Sequence, residues 1–229
     1  MKIQRLRVRF SRGEEVKYVT HLDLMRLWER ALRRAGIDIA YSEGFTPHAQ
    51  LSLAAPLAVG VTSDGELLDV FLGSRMMPLD FMREIDKQLP EGIEALAVEE
   101  VGLRGPSLQA ELRAVEYEVS LPATSSEEAR EAVETFLAAE SVPWEQMRDG
   151  DVRRYDIRTL VQHLWVDGSK EGSPVVGMRV RADSSGSGRP EQVIAAIGLP
   201  EPTAIHRRKL VLAETSPAHE AWRRQGRFA

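Results

Sequence analysis

The chain has 229 residues, of which 43% are hydrophobic, 28% charged and 6% aromatic, and its formal net charge is -5. That composition fits a globular protein of one large or two small domains, and the absence of any run of eighteen apolar residues excludes a helical membrane span. With no cysteine, the chain can form no disulfide, no thiolate metal site and no cysteine-held iron–sulfur cluster.

The N-terminal residues lack a signal-peptide core, so a cytoplasmic location is expected. The charge is unevenly distributed. Residues 1–54 carry ten Lys/Arg against six Asp/Glu, and residues 203–229 carry six against two. Each block is therefore +4, while residues 55–202 are -13. Binding follows local potential rather than the total, so the two basic ends matter more than the acidic sum.

Ile3 to Phe10 alternates apolar with basic residues, which predicts a half-buried strand bearing Arg5, Arg7 and Arg9 on one face. A helix follows. Thr20 is its expected N-cap with Asp23 three residues on, and Gly36 sits where the C-terminal glycine belongs. Leu24, Met25, Trp28, Ala31, Leu32 and Ala35 form its apolar stripe, and Arg26, Arg30, Arg33 and Arg34 share the opposite face. Ile37 to Tyr41 reads as a strand, residues 42–48 as an ordered loop, and Gln50 to Ala54 and Glu66 to Phe71 as two further strands. Pro78 opens a helix to Leu89, and Ile93 to Val101 closes the set.

Gly102 to Leu108 reads as a linker, after which a similar order returns. Strands are expected at Val115 to Leu121, Val175 to Ala182 and Ala204 to Ala213. Helices are expected from Ser125 and from Pro190, extended and helical pieces between Val152 and Val166, and a hairpin connection at residues 184–188. The expected fold is α+β: two tandem ferredoxin-like (βαββαβ) halves with antiparallel sheets. The halves would cover residues 1–101 and 113–213, joined by a linker at 102–112 and followed by a mobile tail at 214–229. One continuous α+β sheet is the alternative.

Reactive residue types concentrate at 18–23 and 41–48. Tyr18 and His21 precede and open the arginine-rich helix, and Tyr41, Ser42, Glu43, Phe45 and His48 lie in the loop. If the two clusters met, His21 or His48 with Tyr18 or Tyr41 could perform acid–base catalysis. Equally, His21 with Asp23 could fix the helix start, and His48 could order a proline loop. A metal site of His21, His48 and Glu43 or Asp23 lacks any short ligand spacing, so no metal or cofactor is expected. The helix arginines, Arg5–Arg7–Arg9, and Arg207, Arg208 and Lys209 form three basic lines that could follow a phosphate backbone. Tyr18, Tyr41, Phe45 and Trp165 are the aromatics available for base stacking.

Several strings are distinctive: Phe10-Ser11-Arg12-Gly13, Tyr18-Val19-Thr20-His21-Leu22-Asp23-Leu24-Met25-Arg26, Arg30-Ala31-Leu32-Arg33-Arg34-Ala35, Tyr41-Ser42-Glu43-Gly44-Phe45-Thr46-Pro47-His48 and Ala54-Ala55-Pro56-Leu57-Ala58-Val59-Gly60. Together they resemble the bacterial radical-SAM-linked protein family, a domain of unknown function fused to or encoded beside radical SAM proteins. Asp156-Ile157-Arg158, Arg189-Pro190-Glu191 and Ile205-His206-Arg207 extend the likeness. Thr20 stands where serine is common in that family, and Ala49 where proline often follows the histidine.

The resemblance implies a radical SAM partner and a stand-alone accessory role, without a cluster of its own. The tandem order is also similar in architecture to CRISPR repeat-processing endoribonucleases, a fold analogy that transfers no catalytic residue. The leading expectation is a non-catalytic accessory subunit that binds RNA or presents a substrate. Arg26, Arg30, Arg33 and Arg34 would contact phosphates or an acidic partner, with Ser42, Glu43, Phe45 and His48 beside them. A metal-independent endoribonuclease and a pure interaction scaffold are the alternatives.

Overall fold

The computed structural model describes residues 1–122, 124–148, 150–170 and 173–213. Among the described residues the chain divides into two compact units, 1–112 with 212–213, and Arg113–Val211. Both mix helices with antiparallel strands, as the α+β reading requires. The residues expected as a tail, 214–229, lie outside the described set.

In the first unit β1 (Gln4–Arg12) is followed by α1 (His21–Arg34), β2 (Leu51–Leu53), β3 (Thr62–Leu72), α2 (Pro78–Asp86), β4 (Ala95–Val101) and the short α3 (Leu108–Glu111). The strand order is β4-β1-β3-β2, and every pairing is antiparallel. The period-two alternation of β1 splits its residues between two faces. Leu6, Val8 and Phe10, each fully buried, join Leu24, Trp28, Ala31 and Leu32 of α1 and Phe81 and Ile85 of α2 in one apolar core. Phe10 meets Trp28 edge-on, with ring centroids 5.0 Å apart.

α1 forms where its sequence signals place it. Thr20 Oγ1 accepts from the Asp23 N–H at 3.3 Å and donates to Asp23 Oδ2 at 2.7 Å, and Gly36 takes the positive φ of 69° that ends the helix. Ahead of it, the buried guanidinium of Arg12 donates to the carbonyls of Val16, Lys17 and Val19, pinning the chain that leads into the helix.

The strand expected at Ile37 to Tyr41 is instead two isolated bridges, Ile39 with Leu72 and Tyr41 with Ala49. The edge of β3 is shared: Phe71 accepts from Ala40 N–H and donates to the Gln50 carbonyl, and Leu51 and Leu53 pair with Val70 and Leu68. Two short segments divide one edge, so neither builds a long ladder. The expected linker at 102–112 is held fast within the first unit. The carbonyls of Gly102, Gly105 and Pro106 accept from Arg5 at 3.3, 3.2 and 2.7 Å, and α3 buries Leu108 and Glu111.

In the second unit β5 (Leu112–Ser120), α4 (Ser126–Ala138), β6 (Pro143–Arg148), β7 (Asp151–Asp156), β8 (Val161–Lys170), β9 (Ser173–Asp183), β10 (Gly186–Ser187), α5 (Pro190–Ala196) and β11 (Ala204–Leu212) follow in order. The strands run β11-β5-β9-β8, with β10 folded back on the end of β9. β6 and β7 form a separate hairpin, pairing Trp144 with Tyr155 and Arg148 with Asp151. The hairpin connection expected at 184–188 is the turn between β9 and β10.

Truncating Trp28 to alanine should cost about 3–5 kcal/mol, because its cavity lies against the fully buried Phe10 and cannot refill with water. Chemical denaturation of the variant measures this, and a cost under about 1 kcal/mol would mean the first core does not depend on that pair.

Candidate functional site

The other face of β1 carries Arg5 and Arg7, only 3% and 1% exposed. This corrects the expectation of a second basic line for phosphates. Arg7 lies in register between Asp69 of β3 and Glu99 of β4. Its Nε donates to Asp69 at 2.8 Å and its Nη1 to Glu111 of α3 at 2.7 Å. Arg5 donates to the same Asp69, through Nε at 2.9 Å and through a shorter Nη2 contact. Burial alone would discourage the Arg7 cation, but Asp69 and Glu111 outweigh it and hold its pKa above the ordinary value.

The network holds two arginines against three carboxylates, and the third carboxylate is the one left short. Glu99 Oε1 is out of contact with solvent and has no hydrogen-bond partner. Desolvation pushes the Glu99 carboxyl up to about 7, helped by the like charges of Asp69 and Glu111 and opposed by Arg7. With Glu99 protonated, the buried charges balance.

Arg207 of the third basic line is also buried. It donates to Tyr117 Oη at 3.2 Å and stacks its guanidinium over that ring, while Arg208 pairs with Glu118 at 3.2 Å. Arg208 and Lys209 of that line stay exposed, and α1 keeps all four of its arginines outside. Arg26, Arg30, Arg33 and Arg34 are all exposed, at i, i+4, i+7 and i+8. Arg26 meets Asp23 at 3.2 Å, and Arg33 meets Glu29 at 2.9 Å. Arg34 donates to the Gln88 carbonyl at 2.7 Å. Such exposed pairs are worth little and orient the side chains more than they neutralise them.

Of the two reactive clusters of the sequence, the second is tied to α1 at the end away from His21. Tyr41 Oη accepts from Arg33 Nε at 2.9 Å, and the Arg33 guanidinium lies 5.6 Å from the Tyr41 ring. Arg33 is in the last turn of α1 and His21 in the first, about 18 Å apart along the axis. The loop itself is closed by Ser42: its N–H donates to the His48 carbonyl and its Oγ accepts from the His48 N–H, both at 2.9 Å. Glu43, Phe45 and His48 are exposed, and Phe45 at the loop tip is fully so. Gly44, with a φ of 122°, supplies a backbone conformation that side-chain-bearing residues rarely adopt.

At the start of α1, His21 is half-buried and its Nδ1 has no partner, while Tyr18 is 71% exposed with Lys17 Nζ 5.2 Å from its ring. No side-chain hydrogen bond joins residues 18–23 to residues 41–48 among the described residues. Trp165 is committed elsewhere, donating to Asp167 at 2.9 Å and packing where only Gly177 leaves room for its indole.

Among the described residues no group of three or more His, Asp or Glu is placed to hold a metal, and no helix is long and apolar enough to cross a membrane. The residues that sequence reading missed are Asp69, Glu99 and Glu111. Nothing in their local patterns signals that three distant segments converge on Arg7.

A family model described as "uncharacterized protein conserved in bacteria (DUF2344)" matches residues 5–190. The chain belongs to this family. That description states no activity. A comparison with curated proteins finds no match. Among solved structures the chain is similar to one titled "Crystal Structure of a Cbf5-Nop10-Gar1 Complex", at 11% identity and a TM-score of 0.47. The alignment covers 91% of this chain and 49% of the other, so the chain spans about half the length of that protein. At that score the likeness carries no argument about function.

Because the folded state holds the proton on Glu99 more tightly than the unfolded chain, its contribution changes between pH 4.5 and about 7. As pH rises through that window the folded state must ionise an unpartnered carboxyl, and stability falls. Glu99→Gln should therefore match the parent near pH 4.5 and exceed it in melting temperature at pH 8. Parallel melting curves across that range would contradict this assignment.

Proposed function

We propose that each unit is a split βαββαβ sheet of the ferredoxin-like kind, and that the chain is a non-catalytic accessory subunit of a radical SAM enzyme. Its role is to bind RNA through the solvent face of α1. The strand orders β4-β1-β3-β2 and β11-β5-β9-β8 support the first statement, since each places the first and third strands centrally. The partner rests on the family resemblance.

The RNA-binding reading rests on one observation above the others: four arginines exposed on one face of a single helix. Three arginines of the other basic lines, Arg5, Arg7 and Arg207, turn inward, to Asp69, Glu111 and Tyr117, while Arg208 and Lys209 stay exposed. A basic stripe that the fold leaves in solvent while sequestering its neighbours is suited to phosphates. The endoribonuclease reading has less support, because Tyr41 is bound to Arg33 at the opposite end of α1 from His21.

Reversing two of these charges tests the surface directly. Arg30→Glu with Arg34→Glu should lower affinity for total cellular RNA at least tenfold, in protein that circular dichroism shows to be folded. Unaltered RNA retention on a filter would show that the stripe is a solvated face.

A further inference from the structure

Phe45 stands at the tip of the loop that leaves Tyr41, and its side chain is as exposed as in an extended peptide, 109%. Single exposed hydrophobic residues are common and need no explanation. This one differs in how it is held. The loop is closed at its base by the Tyr41–Ala49 bridge and the paired Ser42 and His48 bonds. It is then fixed to α1 through the Arg33–Tyr41 hydrogen bond and ring contact. Three residues therefore separate Phe45 from Tyr41, through which the base of the loop is tied to the last turn of the arginine helix.

Along α1 the arginines repeat at about 6 Å, the rise of four residues, with Arg33 and Arg34 closing the row. That repeat is comparable with the step between successive phosphates of an extended strand. A helix face alone could serve duplex or single strand. An exposed aromatic ring on a loop tied to that helix favours the single strand, whose unpaired bases can stack on any π face.

Resting on the RNA-binding reading above, we propose that Phe45 is a base-stacking platform and that the ligand of this face is single-stranded RNA, bound with little sequence preference. The phosphates lie along Arg26, Arg30, Arg33 and Arg34, and one base leaves the row to cover the Phe45 ring. Arg33 has a positioning part as well: by holding Tyr41 it sets where the platform stands.

The test uses the full chain and a short fluorescent oligoadenylate, with its duplex with oligouridylate and with polyaspartate as competitors. Phe45→Ala should weaken oligoadenylate binding by roughly five- to 150-fold, the range that follows from removing one stacked base. Its salt dependence should not change, since no charge is lost. Phe45→Trp should restore the affinity. The duplex should compete poorly, and polyaspartate poorly also. Parent protein that binds oligoadenylate equally well with Phe45→Ala would overturn the platform and leave the arginine face standing. Duplex competing as well as single strand would overturn the single-strand assignment. Polyaspartate displacing the oligomer at matched charge would make the face a site for acidic protein. No oligoadenylate binding by the parent, even at low salt, would overturn the RNA reading itself.

Discussion

Arg7 is the residue on which the first unit turns. It lies between two acidic strands and under an acidic helix, and its guanidinium joins β1 to Asp69 and to Glu111 of α3. Arg5 shares Asp69 and reaches past it to three carbonyls of residues 102–106. Removing one partner of a buried ion pair leaves an uncompensated charge, commonly a cost of 3–5 kcal/mol, whereas replacing the whole network by apolar residues need cost nothing. The network is therefore better understood as a fastening than as a source of stability: it determines where the segment after β4 lies.

That fastening also decides which cations remain for function. A strand with arginine at every second position looks like a binding surface, and here it is an internal one. With Arg5 and Arg7 occupied, and Arg207 turned onto Tyr117, α1 is left with four exposed arginines on one face. Its inward residues Leu24, Trp28, Ala31 and Leu32 have the same spacing as its arginines, so burying one stripe exposes the other. The loop bearing Phe45 is tied to this helix and not to the His21 end, which separates the aromatic tip from the histidine at the helix start.

Much of this was legible in the sequence. The cap at Thr20, the glycine at 36, and proline at positions 78 and 190 mark helix ends by local chemistry, and the helices lie close to where those signals put them. The face of β1 bearing its arginines was legible too, but not its burial. Period two says which residues share a face; it cannot say that both faces are covered, because the covering groups lie over sixty positions away at Asp69 and over a hundred away at Glu111. Ile37 to Tyr41 looks like a strand by composition, yet a strand needs an edge to itself, and residues 49–53 occupy part of it. The β6–β7 hairpin left little signal: most of its described side chains face solvent, so hydrophobic alternation has nothing to record.

The salt dependence of binding to single-stranded RNA tests this division of labour most directly. Four exposed arginines on phosphates give a slope of log affinity against log salt of about -3, at roughly 0.7 per contact. A slope near that value is what the proposed phosphate row predicts. No binding at low salt, or a slope steeper than about -5, would contradict it, the latter because it would require about seven phosphate contacts, more than the four arginines of the row supply.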